Sequence, residues 1–199
     1  MTRAAVFVDK DGTLIENVPY NVDPALLAFT RGAVEALQRL ARAGYALFVV
    51  TNQPGVALGL FDRAALDRLL QALRTLLNER GVELAGLYAC THRPASHGLA
   101  PCTCRKPAPG MLQRAADEHD IDLGRSWMVG DILDDVEAGR RAGCRTVMLD
   151  VGHETEWRLS DQRLPHFGVA DLAEAADVIL SEDGGGAPIQ PVKAVHDEC

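Results

Sequence analysis

No stretch of this chain is apolar for long enough to cross a bilayer, since a run such as Tyr45–Val50 falls far short of the ~20 residues a membrane helix needs. No leader stands out either: Met1-Thr2-Arg3 precedes the first apolar run and Asp9 interrupts it, so a cytoplasmic protein is expected. Basic residues are in the minority, 20 Lys and Arg against 28 Asp and Glu, and a formal charge of −8 argues against a nucleic-acid partner, which calls for a basic face. That charge does not exclude a phosphorylated substrate, because a bound cation or a few local basic groups reverse the sign inside a site. Five cysteines in a chain of this kind point to metal binding or reactivity rather than to a disulfide framework. There is no internal repeat. With 199 residues, 47% of them hydrophobic, the chain can bury a sizeable core as one domain. That domain is expected over residues 1–180. A flexible tail is expected over 181–199, where Gly184-Gly185-Gly186 and two prolines stand.

What the sequence does have is alternation. Short apolar runs predict strands over 4–8, 45–50, 84–89, 126–129 and 146–149. Helical spacing predicts helices over 32–43, 62–80, 110–119, 133–142 and 171–180, with Asp62 as an N-cap and Gly44 and Gly81 as stops. Residues 16–30 and 90–109 read as loops rich in proline. Trp157 is expected to anchor the polar stretch 151–165 against the core, and Cys144 to be buried packing. Strands alternating with helices imply right-handed βαβ units and a parallel sheet, an α/β fold.

A parallel sheet gathers its strand ends along one edge, where ligands bind. Four of the predicted ends carry polar groups of complementary kinds: Asp9 and Asp11, then Thr51 and Asn52, then Arg105 and Lys106 beyond the third strand's loop, then Asp131 and Asp135. Asp9, Asp11 and Asp131 could hold a hard cation through oxygen, and Mg2+ suits a few carboxylates with phosphate and water. Thr51 and Lys106 would supply hydrogen bonds and positive charge to phosphate oxygens. A second group is Cys90-Thr91-His92 followed by Cys102-Thr103-Cys104. Three thiolates and an imidazole complete a tetrahedral Zn2+ site with no position open for chemistry. His97 is a rival ligand in the same loop.

Asp9-Lys10-Asp11-Gly12-Thr13, Thr51, Lys106 and Gly130-Asp131 with Asp135 resemble, in order, the four motifs of haloacid-dehalogenase-like phosphatases. The resemblance spans about residues 4–150. It implies a Rossmann-like three-layer sandwich, Mg2+ dependence and an aspartyl-phosphate intermediate. Asp9 would be the nucleophile, and Asp11 the acid that protonates the leaving alkoxide and later the base that activates water. Asp135 would orient Lys106 or a metal-bound water. The spacing C-x-H and C-x-C-R-K-P is similar to that of the small capless, zinc-loop branch of the family. Asn17, Val18, Pro19 and Tyr20 would then wall the site together with the zinc loop. Asn52, Gln53 and Arg105 would join Thr51 and Lys106 in binding substrate. Thr51-Asn52-Gln53-Pro54-Gly55-Val56-Ala57 is closer to the version found in sugar-bisphosphate phosphatases of that branch than to the amino-alcohol phosphatase version. Ile132 departs from the pattern, in a place where some members carry a lysine. The expected substrate is a sugar phosphate and the expected state a monomer. The alternatives are an amino-alcohol phosphatase or another sugar-phosphate phosphatase of the same branch and, outside enzymes, a phospho-accepting receiver-like domain or a zinc-organised interaction module, the last two of which sustained phosphate release would exclude.

Overall fold

The computed structural model describes residues 2–94 and 102–183. Of the tail expected over 181–199, the part from residue 184 onward, like the rival ligand His97, therefore lies outside the described residues. Strand β1 (Ala5–Val8) runs through the middle of a six-stranded sheet. On one side lie β2 (Ala46–Asn52) and then β3 (Gly86–Cys90). On the other lie β4 (Trp127–Gly130), β5 (Arg145–Leu149) and β6 (Phe167–Val169). Every pairing is parallel.

The alternation of side chains along β1 explains why the sheet is covered on both faces. Val6 and Val8 face a core built with helices α1 (Ala33–Arg42), α3 (Arg63–Glu79) and α6 (Leu172–Asp183), through Leu37, Leu40, Leu73, Leu77 and Ile179. Ala5 and Phe7 face the opposite core, completed by α4 (Gly110–His119) and α5 (Leu133–Ala142) through Met111, Leu112, Ala115 and Ala138. Phe7 stacks on Phe48 with ring centroids 5.1 Å apart. This is the expected three-layer α/β sandwich. Among the described residues, no helix is long and apolar enough to cross a membrane.

The structure departs from the sequence reading in five places. The sixth strand is a Phe-Gly-Val triplet on the sheet edge, too short to show any period. A four-residue helix, α2 (Gly55–Leu58), occupies part of what reads as a loop between Pro54 and Phe61. Strand β2 runs on to Asn52, two residues past its expected limit, so Thr51 and Asn52 lie within the strand. Helix α6 runs to Asp183 rather than stopping at residue 180. Trp157 is no anchor: it is 56% exposed, on a surface segment whose neighbours Glu156 and Arg158 form an exposed ion pair. Cys144 is buried, as expected.

Candidate active site

Asp9 follows directly on β1, and its N–H continues the ladder by donating to the Val129 carbonyl at 2.9 Å. The main chain thus carries the carboxylate to the sheet edge beside the end of β4. The turn that follows needs Gly12 for two reasons. Its φ is +81°, and a Cβ there would stand 2.3 Å from Asp131 Oδ2 and 2.5 Å from His153 Nδ1. Gly130 is equally confined, because a Cβ would meet the Asp135 carboxyl at 2.3 Å.

Lys106 is the hub of the site. Its buried Nζ lies 2.5 Å from Asp9 Oδ1 and 2.5 Å from Asp135 Oδ1, and it donates to the Val50 carbonyl at 3.0 Å. Two carboxylates and a carbonyl thus surround an ammonium that has three N–H donors. Burial alone would lower its pKa, but Asp135 and Asp9 more than offset this and hold it raised. The carboxylates go the other way. Burial pushes Asp9 up to about 7 against the pull of Lys106, with Asp135 and Asp11 adding to the rise. Burial likewise lifts Asp135 to about 6 and raises Asp131. Oxygens of Asp9, Asp131 and Asp135 all lie within 4.8 Å of one another and could hold a metal ion. One lysine does not balance three buried carboxylates, and an oxygen-only donor set of this charge fits a hard divalent cation.

Asp11 is placed differently from the sequence expectation that it also binds the cation. Its carboxylate is outside that trio, paired with Lys10 Nζ at 2.8 Å and accepting from Gln53 Nε2 at 2.7 Å. Two donors, Lys10 and Gln53, thus engage both of its oxygens. Asn52 and Gln53, expected on the substrate, use their amides inside the protein. Asn52 exchanges two hydrogen bonds with the main chain of Lys106, at 3.0 and 3.1 Å. Gln53 reaches Asp11 and, at 2.9 Å, the hydroxyl of buried Thr51. Asn17, Val18, Pro19 and Tyr20 form a solvent-facing turn closed by the Asn21 N–H on the Val18 carbonyl, and Tyr20 adopts φ +54°.

Sequence reasoning missed three groups here. Thr13 donates to Asp131 Oδ1 at 3.1 Å, and His153 Nδ1 lies 2.7 Å from Asp131 Oδ2. Lys10 is the third. The position of His153 shortly past the end of β5 was the available signal, since the ends of β1, β2 and β4 at this edge carry polar groups.

The second metal-holding group is Cys90, His92, Cys102 and Cys104. Its sulfurs lie 3.3 to 3.7 Å apart, and His92 Nδ1 is 3.4 Å from Cys90 and 3.3 Å from Cys104. These are close to the edges of a tetrahedron about a zinc with Zn–S bonds of about 2.3 Å. Burial pushes the Cys104 thiol up to about 12, helped by Cys90 and Cys102, and raises Cys90. Cys102 is lowered, because the Arg105 N–H and the neighbouring thiols outweigh its slight burial. That N–H donates to Cys102 Sγ at 3.3 Å, and the Arg105 guanidinium reaches the His92 carbonyl at 3.5 Å. Lys106 therefore follows a residue fixed to this cluster.

Comparison with known proteins agrees with the geometry. A family model described as HAD-hydrolase-like matches residues 103–175. A D-glycero-beta-D-manno-heptose-1,7-bisphosphate 7-phosphatase of Pasteurella multocida is 40% identical over 149 residues, 74% of this chain and 81% of that protein. The chain belongs to the haloacid-dehalogenase-like family. Another relative within it, the protein of the same name from Escherichia coli K12, is 39% identical over 73% of this chain and 78% of its own length. Among solved structures of haloacid-dehalogenase-like proteins, the D,D-heptose 1,7-bisphosphate phosphatase of B. bronchiseptica, complexed with magnesium and phosphate, superposes with a TM-score of 0.74. It is 30% identical, over 90% of this chain and 99% of that one. This haloacid-dehalogenase-like chain is a phosphatase.

Proposed function

We propose that the chain is a Mg2+-dependent phosphatase that removes the C7 phosphate of D-glycero-β-D-manno-heptose 1,7-bisphosphate through an aspartyl phosphate on Asp9. The observation that carries this reading is Asp9 itself: a buried carboxylate at the sheet edge, 2.5 Å from Lys106, in a chain whose relatives bear that name. Asp9 and Asp131 would hold Mg2+, which when bound offsets repulsion between the nucleophile and a dianionic phosphate. A carboxylate oxygen of Asp9 forms the bond to phosphorus, and Asp11 protonates the departing sugar oxygen. Water then attacks the aspartyl phosphate while Asp11 takes its proton. Thr51 and Lys106 donate to the phosphoryl oxygens. Lys106 already has three acceptors, so it takes up the phosphate by releasing Asp9, which frees the nucleophile as substrate arrives. Asp135 keeps hold of the lysine throughout.

Zn2+ at Cys90, His92, Cys102 and Cys104 would have a structural task, keeping Arg105 and Lys106 in fixed positions. Arg105 would meet the second phosphate. A primary phosphate on an exocyclic carbon reaches Asp9 with little crowding, whereas the anomeric phosphate would bring the ring against the walls. The product, a heptose 1-phosphate, suits a nucleotidyltransferase that makes nucleotide-activated heptose for cell-surface glycans. Phosphorus NMR of the product, with both anomers and histidinol phosphate compared, tests the proposal. A product that keeps its C7 phosphate, or equal turnover of histidinol phosphate, would favour the amino-alcohol phosphatase reading.

A further inference from the structure

Lys10 has no task in the chemistry above, yet it is 1% exposed and one of the largest fully buried side chains of the protein. Lysine is almost never buried to this degree unless paired. Its Nζ lies 2.8 Å from Asp11 Oδ1. Gln53, also buried, donates through Nε2 to the other oxygen, Asp11 Oδ2, at 2.7 Å. The Asp11 side chain itself stays 28% exposed. A carboxylate that must meet substrate is thus gripped at both oxygens by buried donors and open to solvent elsewhere. An apolar side chain of the same length would fill the lysine's space without the penalty of burying an ammonium. What the lysine adds is its hold on Asp11.

We infer that Lys10 and Gln53 are positioning residues for proton transfer, fixing the Asp11 carboxylate in the orientation that delivers a proton to the leaving oxygen. The inference rests on the assignment of Asp11 as proton donor and acceptor. In the first step the Asp9 oxygen bonds to phosphorus, the P–O bond to the sugar breaks, and its electron pair goes to the sugar oxygen. That oxygen takes the Asp11 proton. In the second step a water oxygen bonds to phosphorus, its proton passes to Asp11, and the Asp9–phosphorus bond breaks with its electrons returning to the carboxylate. Each carboxylate oxygen has two acceptor positions, so one donor on each leaves room for the transferred proton. Without the grip the carboxyl turns freely, and misplacement by about 1 Å is enough to cost about a hundredfold in rate.

The test is a leaving-group series on the full chain with Mg2+, using alkyl phosphate monoesters and p-nitrophenyl phosphate, whose nitrophenolate departs without a proton. The parameter kcat/KM reports the first step. For Lys10→Met it should fall about 10- to 100-fold with alkyl esters but under about threefold with p-nitrophenyl phosphate, since general acid catalysis is lost where the leaving group needs it. With p-nitrophenyl phosphate, kcat and KM should fall together as the aspartyl phosphate accumulates. Lys10→Arg should restore much of the alkyl activity. Gln53→Leu should repeat the leaving-group selectivity on top of a loss common to all substrates, because Thr51 also loses a partner, and it serves if Lys10→Met does not fold. Equal losses on both substrate classes would overturn the inference. The proposed substrate can fail without touching this result, which needs only simple esters. If Asp11→Asn itself shows no leaving-group dependence, the assignment of Asp11 is what fails.

Discussion

Replacing Lys106 with methionine keeps the length of the side chain and removes its charge from between Asp9 and Asp135. The lysine side chain is 2% exposed, so solvent cannot stand in for it. Breaking a buried ion pair by deleting one partner costs about 3–5 kcal/mol, because the other is left charged and unpaired. In a domain of this size each kcal/mol moves Tm by about 2–4 °C, so metal-free Lys106→Met at pH 8 should melt about 6–20 °C below the wild type. Two conditions should shrink the deficit. At pH 5 Asp9 and Asp135 take up protons, since burial lifts them to about 7 and about 6 even with the lysine present. Millimolar Mg2+ at pH 8 supplies the missing positive charge. Adding Asp135→Asn should recover part of the loss, and the double-mutant cycle then measures the coupling. The assay is thermal unfolding followed by circular dichroism, in EDTA and in Mg2+. A melting temperature within about 2 °C of the wild type in EDTA at pH 8, equivalent to under about 1 kcal/mol, would refute the view that this lysine neutralises the floor of the site.

Asp9→Asn should abolish turnover, which a phosphate-release assay reads, while melting no lower than the wild type, since it removes a buried carboxylate whose ionisation the fold resists. The wild type without metal should lose stability as pH rises from about 4 to about 7. The folded state there retains a proton on Asp9 that the unfolded chain has released near 3.8, and calorimetry across that window in EDTA checks the sign. Metal analysis should find about one zinc per chain, lost in Cys104→Ser and retained in Cys144→Ser. Gly12→Ala should cost at least about 1–2 kcal/mol in denaturant unfolding from its left-handed backbone alone. It should also weaken Mg2+ binding by displacing Asp131, and truncating His153 to alanine should relieve part of both effects.

Much of the fold was legible because β1, β2, β4 and β5 are each built on a short apolar run that is buried, a signal that survives without tertiary information. The helices over 110–119 and 133–142 match their expected limits. β6 escaped because three residues around a glycine carry no period and are held by pairing with β5. At the site, residue type and strand-end position bring Asp9, Thr51, Lys106 and Asp131 to one edge. They do not reveal direction. Whether Gln53 faces a ligand or Asp11, and whether Asn52 faces a phosphate or a backbone, depends on side-chain geometry that no spacing encodes. His153 was hidden for another reason, lying in a polar segment whose neighbours are exposed.

The hydrogen bonds between Asn52 and residue 106 have a consequence for protein engineering. They are made to the peptide N–H and carbonyl of that residue and so are indifferent to its side chain. Together with the Arg105 N–H on Cys102, they make the position a socket, set by the surrounding loop. Whatever side chain is mounted there starts from the same main-chain position and heads toward the carboxylates of Asp9 and Asp135. A histidine or a non-natural amine could be installed at 106 without rebuilding the loop, which makes this the place to alter the charge of the site one group at a time.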